Sequence, residues 1–401
     1  MKLKKIAALA AAIALAVGAL AGCGGNDNQQ ASGSTSAGSE AKSNTASSSE
    51  SNNTDGNTKE DGFLIGFSNP VIGNAWRSSF LENAENTLEE YKKSGVISDY
   101  ILSSCDNDTT EQLNQINQMI SAGCDAIVIN PLSSASIEAV IQDAMDAGII
   151  VVICNDIIAV EGTYAVSNSQ TAYGDIAGKF IADYYKDATD TVPMVEIPGT
   201  VGVDAASLRE EAMQAAIAEN SNIEIIAAAP GSWSATETQS VMSTFCATYS
   251  DIDAVYTEEG GEGVIYACEN TNHDMPEVMN GDYTHLFFKL WKEHGLNCCT
   301  VPSDTSISSA AIHFAVLQLQ GKEVDVSKLV ANPFDETLVN TVYFDPTYVV
   351  TNDGDPDAAY LEGYSTKVLS LDDALELCEG KEESYCLSVP FTQEQVASYF
   401  K

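Results

Sequence analysis

Positive charge is what this 401-residue chain has least of: 18 Lys and Arg residues stand against 58 Asp and Glu, a formal net charge of −40. A surface this acidic is repelled by nucleic-acid phosphates and by anionic lipid headgroups, so neither is expected as a partner; the charge serves solubility. Arginine is scarcer still, with Arg77 and Arg209 the only two, and tryptophan is limited to Trp76, Trp233 and Trp291. The four histidines, His273, His285, His294 and His313, show no metal-ligand spacing with cysteine or with one another. There is no CxxC pair and no GxSxG nucleophile turn, and "EEGGEG" at 258–263 lacks both the spacing and the basic neighbour of a phosphate loop. These absences argue against metal, nucleophile and nucleotide chemistry, and no cofactor is expected.

What is present begins with an amino terminus unlike the rest. Lys2, Lys4 and Lys5 precede an apolar run over 6–21, the layout of an export signal and too short for a comfortable membrane span. The run closes on Leu20-Ala21-Gly22-Cys23, which resembles the bacterial lipobox. That resemblance implies a signal peptide over 1–22, lipidation of Cys23, and attachment to the outer face of the cell membrane through acyl chains. Residues 24–61 contain no aromatic or branched aliphatic residue. Such a segment cannot bury a core and reads as a disordered tether spanning roughly 35 Å. Of the ten cysteines, an odd number remains after Cys23. Several sit in apolar runs such as "VVIC" and act as small hydrophobes. Cys378 and Cys386, in a polar region, are the only pair whose setting points to a disulfide.

From residue 63 short apolar runs alternate with amphipathic ones. Strands are expected at 63–68, 100–104, 126–130, 149–154, 164–166, 194–197, 223–228, 254–257, 278–281 and 299–301, with helical patterns over 76–93, 110–122, 134–147, 171–186, 205–219, 234–248 and 305–319. Continuous apolar strands separated by helices mean parallel sheets covered on both faces. Ten strands exceed one such sheet, so two doubly wound α/β lobes are expected. Ligands of such sheets bind beyond the carboxyl ends of the strands. There the sequence places "NPVIGNAWR", Asn155-Asp156, "PGTVGVDAASLR", "PGSWS", "EEGGEG" and "DYTH", so that both arginines collect at one kind of rim.

These segments are similar to those of periplasmic sugar-binding proteins of ABC importers, of the ribose- and galactofuranose-binding type. "GFSNPVIGNAWR" resembles the galactofuranose-type opening, and "EIPGTVGVDAASLR" the Gly-Thr-x-Gly segment whose helix carries a ligand-binding arginine, here Arg209. "AAPGSWSATETQSVM" resembles the segment with a stacking aromatic, here Trp233, and "MNGDYTH" a turn whose aspartate, here Asp282, accepts from hydroxyls. "FAVLQLQGKEV" looks like the last helix before a hinge crossing. The resemblance covers roughly residues 62–345. It implies a type I periplasmic binding protein fold, with one lobe formed by 62–168 plus 303–334, the other by 169–302 plus 335–401, and three hinge crossings near 165, 302 and 335. The chain departs from the pattern at Asn155-Asp156, where Asp-Arg is usual, and at Glu258-Glu259, where Asn-Asp is usual.

The expected site therefore takes Asn74, Trp76, Arg77, Asn155 and Asp156 from one lobe and Arg209, Trp233, Glu259 and Asp282 from the other. Arginine forks grip paired oxygens, tryptophans stack on a sugar ring, and Asn or Asp accept from hydroxyls. Helix capping competes with ligand contact for Asn74, Asn155, Asp156 and Asp282, and salt bridging competes for the arginines. The expectation is a monomeric, membrane-tethered receptor that captures a monosaccharide, polyol or amino sugar by lobe closure and delivers it to an ABC permease. A sensory receptor of the same fold and an extracytoplasmic enzyme remain as alternatives, and the role of 345–401 is open.

Overall fold

The computed structural model describes Lys59 and residues 61–132 and 134–401. The expected signal peptide, Cys23 and nearly all of the tether lie outside the described residues. The strands, in chain order, are β1 (Phe63–Asn69), β2 (Ile97–Ser104), β3 (Ala126–Ile129), β4 (Ile150–Cys154), β5 (Tyr164–Asn168), β6 (Val192–Ile197), β7 (Ile223–Ala228), β8 (Ala254–Thr257), β9 (Val278–Gly281), β10 (Cys298–Thr300), β11 (Val330–Asn332), β12 (Asp335–Phe344), β13 (Tyr348–Thr351) and β14 (Lys367–Ser370). Helices are α1 (Ala75–Ser94), α2 (Thr109–Ser121), α3 (Ser134–Asp146), α4 (Gln170–Tyr184), α5 (Asp204–Ile217), α6 (Ala235–Thr248), α7 (Gly261–Thr271), α8 (His285–His294), α9 (Ile307–Leu319), α10 (Leu371–Leu377) and α11 (Gln393–Ala397).

Two sheets result, ordered β11-β12-β5-β4-β3-β1-β2 and β14-β13-β10-β9-β8-β6-β7. All neighbours are parallel except β11–β12 and β10–β13. The two-residue period of a strand sends Ala126 and Val128 of β3 into one core and Ile127 and Ile129 into another. In β8, Val255 likewise faces one core while Ala254 and Tyr256 face a second. Each sheet is thus covered on both faces, as the unbroken apolar strands require. Because β1 is flanked by β2 and β3, and β6 by β7 and β8, each sheet reverses its winding beside its first strand. Those reversals open crevices at the carboxyl ends of β1 and β3, and of β6 and β8.

Helix boundaries follow local chemistry. The Asn74 side chain caps α1 by accepting from the Arg77 N–H at 2.7 Å, and Gly95, at φ 78°, ends it in the left-handed conformation. Helix α9 is apolar nearly all round and is buried throughout. Its one imidazole, His313, is satisfied there by the Tyr91 hydroxyl at 2.7 Å and the Phe391 carbonyl at 3.1 Å, as expected of a core histidine.

The crossings between lobes meet at one buried residue, Asp304. Asp304 accepts from the Thr347 N–H at 2.7 Å and the Thr347 hydroxyl at 2.6 Å, while its own carbonyl accepts from Asn168 Nδ2 at 3.1 Å. One residue therefore joins the passages that follow β5, β10 and β12. The crossing expected near 335 lies instead after Phe344, because β12 pairs with β5, Thr341 opposite Ala165 through Phe344 opposite Asn168. The strand begins polar and largely exposed and is buried only over its last half, so its start reads as a loop and hides the pairing that follows.

The carboxyl-terminal segment, whose role the sequence left open, divides between the lobes. β13, β14 and α10 extend the second lobe, while Phe391, Val396 and Phe400 join the core of the first. Cys378 and Cys386 are not a disulfide: both are free and buried among apolar side chains of the second lobe, so the polar sequence around them misrepresents their setting. No described helix is long and apolar enough to cross a membrane.

Replacing Asp304 with Ala leaves the Thr347 N–H unpaired in a buried position. The expected cost is about 1–3 kcal/mol, read as a lower denaturation midpoint at unchanged slope; an unchanged midpoint would remove Asp304 from its place as the hinge tie.

Candidate functional site

The first rim forms where β1, β3 and β4 end. Trp76 and Arg77 open α1, and the Arg77 guanidinium lies 4.9 Å from the Trp76 ring centroid and 3.4 Å from an Asp156 carboxylate oxygen. Asn130, one residue past β3, completes the cluster. With its amide oxygen turned toward Arg77 it accepts from Nη1 at 2.5 Å and donates to Asp156 at 2.7 Å. Asn155 adopts φ 65° and donates to Asp156 at 3.1 Å, so the left-handed turn after β4 is what aims the carboxylate at Arg77. Trp76 stacks on Phe80 with centroids 5.1 Å apart, and its indole N–H donates to the Ser303 carbonyl at 2.8 Å. Half-buried, it touches the cores of both lobes and braces the hinge as well as the rim.

The second rim is denser. Close approach of α4 and α5 sets Arg209: a Cβ on Gly174 would fall 2.0 Å from the Arg209 carbonyl oxygen, so only glycine lets the two backbones meet. The Arg209 side chain is 3 % exposed. It donates from Nε to Gln170 at 2.6 Å, lies 4.1 Å over the Tyr173 ring, and approaches Glu258 at 3.8 Å and Glu259 at 3.5 Å. Glu258 accepts from the Trp233 indole N–H at 2.9 Å and is fully buried. Ser232 and Trp233 both hold positive φ, and Gly199 leaves the space the indole fills, since a Cβ there would sit 2.3 Å from the ring. Glu259 accepts from the Tyr283 hydroxyl at 3.1 Å and keeps a partly exposed edge. Asp282 spends one oxygen on the Gly260 N–H at 2.6 Å and the other on the Tyr283 N–H at 2.7 Å, tying the loop after β8 to the loop after β9.

The structure thus gathers Arg77 with Asn155 and Asp156, and Arg209 with Trp233, Glu258 and Glu259. It uses the Asn74 side chain as a helix cap and the Asp282 oxygens as a loop tie. Asn130, Gln170, Tyr173 and Tyr283 were missed. Asn130 had a usable signal, a polar residue closing an apolar strand at the rim; the other three have none, because their approach depends on how helices and loops dock. Two other features lie away from both rims. A hollow of about 450 Å³ bounded by Phe63, Asp125, Ile149 and Gln318 sits at the amino-terminal ends of the first sheet's strands. Cys246, Cys268 and His273 converge within 4.8 Å at the far ends of α6 and α7 despite their unpromising spacing. Both His273 nitrogens already face carbonyl oxygens, of Asp274 and Tyr249, which leaves the trio without a free imidazole ligand.

Burial dominates the acid–base behaviour. It pushes Glu258 and Glu259 up to about 7 against the pull of Arg209, Glu262 up to about 8, and Asp304 up to about 7. A carboxyl whose folded pKa is raised binds more protons folded than unfolded, so its contribution to stability is present at low pH and is lost as pH rises from about 4.5 to about 7. His313, pushed down to about 4 by burial, acts oppositely between about 4 and 6.5 but is one group against four. The melting temperature of ligand-free protein is therefore expected to fall from pH 5.5 to pH 8 in scanning calorimetry; a rise over that range would contradict the buried, raised carboxyls.

Comparison with known proteins agrees with this architecture. A family model described as a periplasmic binding protein domain matches residues 65–323. A ribose import binding protein of Bacillus subtilis (strain 168) is 26 % identical over 273 residues, 67 % of this chain and 85 % of that protein. A galactofuranose-binding protein of Escherichia coli (strain K12) is 28 % identical over 185 residues, 45 % of this chain and 56 % of that protein. An ABC transporter solute binding protein from Thermobispora bispora DSM 43833 superimposes with a TM-score of 0.62 at 21 % identity, covering 84 % of this chain and 94 % of that one.

Proposed function

This chain belongs to the periplasmic binding protein family, and we propose that it captures a sugar or sugar-like polyol between its two lobes for an ABC importer. The family is one of solute-binding proteins, and the two relatives named above carry ribose import and galactofuranose binding in their names. The observation that carries the reading is the matched composition of the two rims. Each carries one arginine beside one tryptophan at the crevice where its sheet reverses winding. Guanidinium forks grip vicinal hydroxyls, indole faces cover ring C–H groups, and the carboxylates accept the remaining hydroxyl protons.

Capture needs closure, and closure needs a ligand that prefers the closed form. The hinge bundle at Asp304 gives the lobes a common pivot, so contacts made to both rims at once stabilise closure. A Kd near 1 μM corresponds to about 8 kcal/mol, within reach of two arginine grips and two stacked rings. The likeness of Leu20-Ala21-Gly22-Cys23 to a lipobox supports attachment of the receptor to the outer face of the cell membrane.

Calorimetric titration of pentoses, hexoses in both ring forms, inositols and polyols tests the assignment, and binding by none would sink it. Arg209→Lys keeps the charge but loses the fork, and is expected to weaken the ligand found at least tenfold, about 1.4 kcal/mol. Trp233→Phe should keep the bulk while losing the tie to Glu258, with a similar loss. Unchanged Kd in both, with a lowered melting temperature, would make these residues structural only.

A further inference from the structure

The second rim holds more negative charge than its own cations balance. Glu258, Glu259, Glu262 and Asp282 cluster where β8 and β9 end, with side chains or residues that are buried or nearly so. Glu262 accepts from the Thr284 hydroxyl and lies beside Asp282, and burial together with that like-charged neighbour pushes its carboxyl up. Both Asp282 oxygens are already engaged by backbone N–H groups, so that carboxyl does not turn to Arg209. That leaves Glu258 and Glu259 facing Arg209, the only basic side chain paired with them among the described residues. One guanidinium against two carboxylates is a deficit of one positive charge in a site too buried for solvent to screen it. The pairing is also loose: Oε1 of Glu258 and Nη1 of Arg209 are both buried with no hydrogen-bond partner, although the same carboxylate's other oxygen is held by Trp233. The first rim supplies no relief, because Arg77 is matched one to one by Asp156.

A neutral polyol adds hydroxyl donors but no charge. We propose that the physiological ligand carries a protonated amine on its polyhydroxylated frame, and that the amine is seated against Glu259, the carboxylate of the pair with an exposed edge. Glu258 keeps Trp233 and Arg209 in place behind it, and Glu259 meets the ammonium. An ammonium supplies the missing positive charge together with three N–H donors, so it satisfies in one step a carboxylate that a hydroxyl satisfies only in part. Without ligand, the site meets the same need by retaining a proton, which burial favours at both glutamates. Entry of the ammonium then releases that proton.

The inference rests on the solute-binding reading, and the experiment separates the two. Matched pairs differing only by amine for hydroxyl are titrated calorimetrically at pH 6.0, where carboxyls pushed up to about 7 still hold their proton and the amines are charged: glucosamine with glucose, galactosamine with galactose, and an aminoinositol with myo-inositol. Each titration is run in two buffers of different ionisation enthalpy to count protons. In at least one pair the aminated member is expected to bind tenfold or more tighter and to release a proton that its neutral partner does not. Glu259→Gln should collapse that preference to less than threefold and abolish proton release. Should Gln fail to fold, Glu259→Asp provides the second arm: it keeps the charge and should retain the preference. Neutral members binding as tightly as aminated ones in every pair would overturn the amine and leave the solute-binding reading standing. Binding by no member of any pair, nor by the wider sugar panel, would overturn both.

Discussion

The passages that follow β5, β10 and β12 meet at one buried residue, and the relation between the two lobes turns on it. Asp304 lies on the segment between β10 and α9, grips Thr347 on the segment between β12 and β13, and receives Asn168 at the end of β5. Three chain passages are thereby gathered at one residue, from which water is largely excluded. A hinge built from three passages and one polar tie can bend by small dihedral changes while the sheets on either side remain rigid. The fourth passage, near residue 390, adds a strap. The Ser306 hydroxyl donates to the Val389 carbonyl and the Tyr348 hydroxyl donates to the Leu387 carbonyl, after which the chain returns to the first lobe's core. The carboxyl-terminal extension therefore lies across the pivot and contacts both lobes.

From that pivot the sheets project two rims with unequal character. The first is balanced and modest: Arg77 against Asp156, steadied by Asn130 and Asn155. The second is a packed ionic cluster around Arg209, held from below by Tyr173 and Gln170 and from the sides by Trp233, Glu258 and Glu259. Burying such a cluster costs desolvation energy that the ion pairs only partly return, so its stability contribution is small at best. A fold tolerates that cost where the groups are needed for recognition, and perturbed carboxyls concentrated at a crevice are the signature of such a place. Trp233 illustrates the coupling, since its strained backbone, the missing side chain at Gly199 and the hydrogen bond to Glu258 are one arrangement.

Much of the fold was legible in the sequence because parallel strands buried on both faces must be continuously apolar, and each expected strand has its counterpart. What escaped detection was what departs from that rule. β12 is polar and largely exposed in its first half and buried only where Thr341 to Phe344 pair with β5, so from the sequence the hinge boundary falls before the strand and not after it. β13, β14 and α10 are short pieces in a polar stretch whose burial comes from docking on a sheet edge. Cys378 and Cys386 were misjudged for the same reason, being buried by partners distant in sequence. At the site, Trp76, Arg77, Arg209 and Trp233 were legible because rare residue types followed strand ends. Their partners Gln170, Tyr173 and Tyr283 are common residues that acquire meaning only through approach.

The sequence by itself determined the class of the protein: its apolar period demands two parallel sheets, and the order of elements dictates where the strands end. These are local or compositional properties, set by which side chains can be buried and how often they recur. Tertiary structure decided the rest. Whether Asn74 and Asp282 act as caps and ties, whether Glu258 and Glu259 share one arginine, and which residue joins the hinge all depend on distances between segments far apart in the chain. Charge balance in a buried crevice is a property of such distances, and no pattern along the chain encodes it.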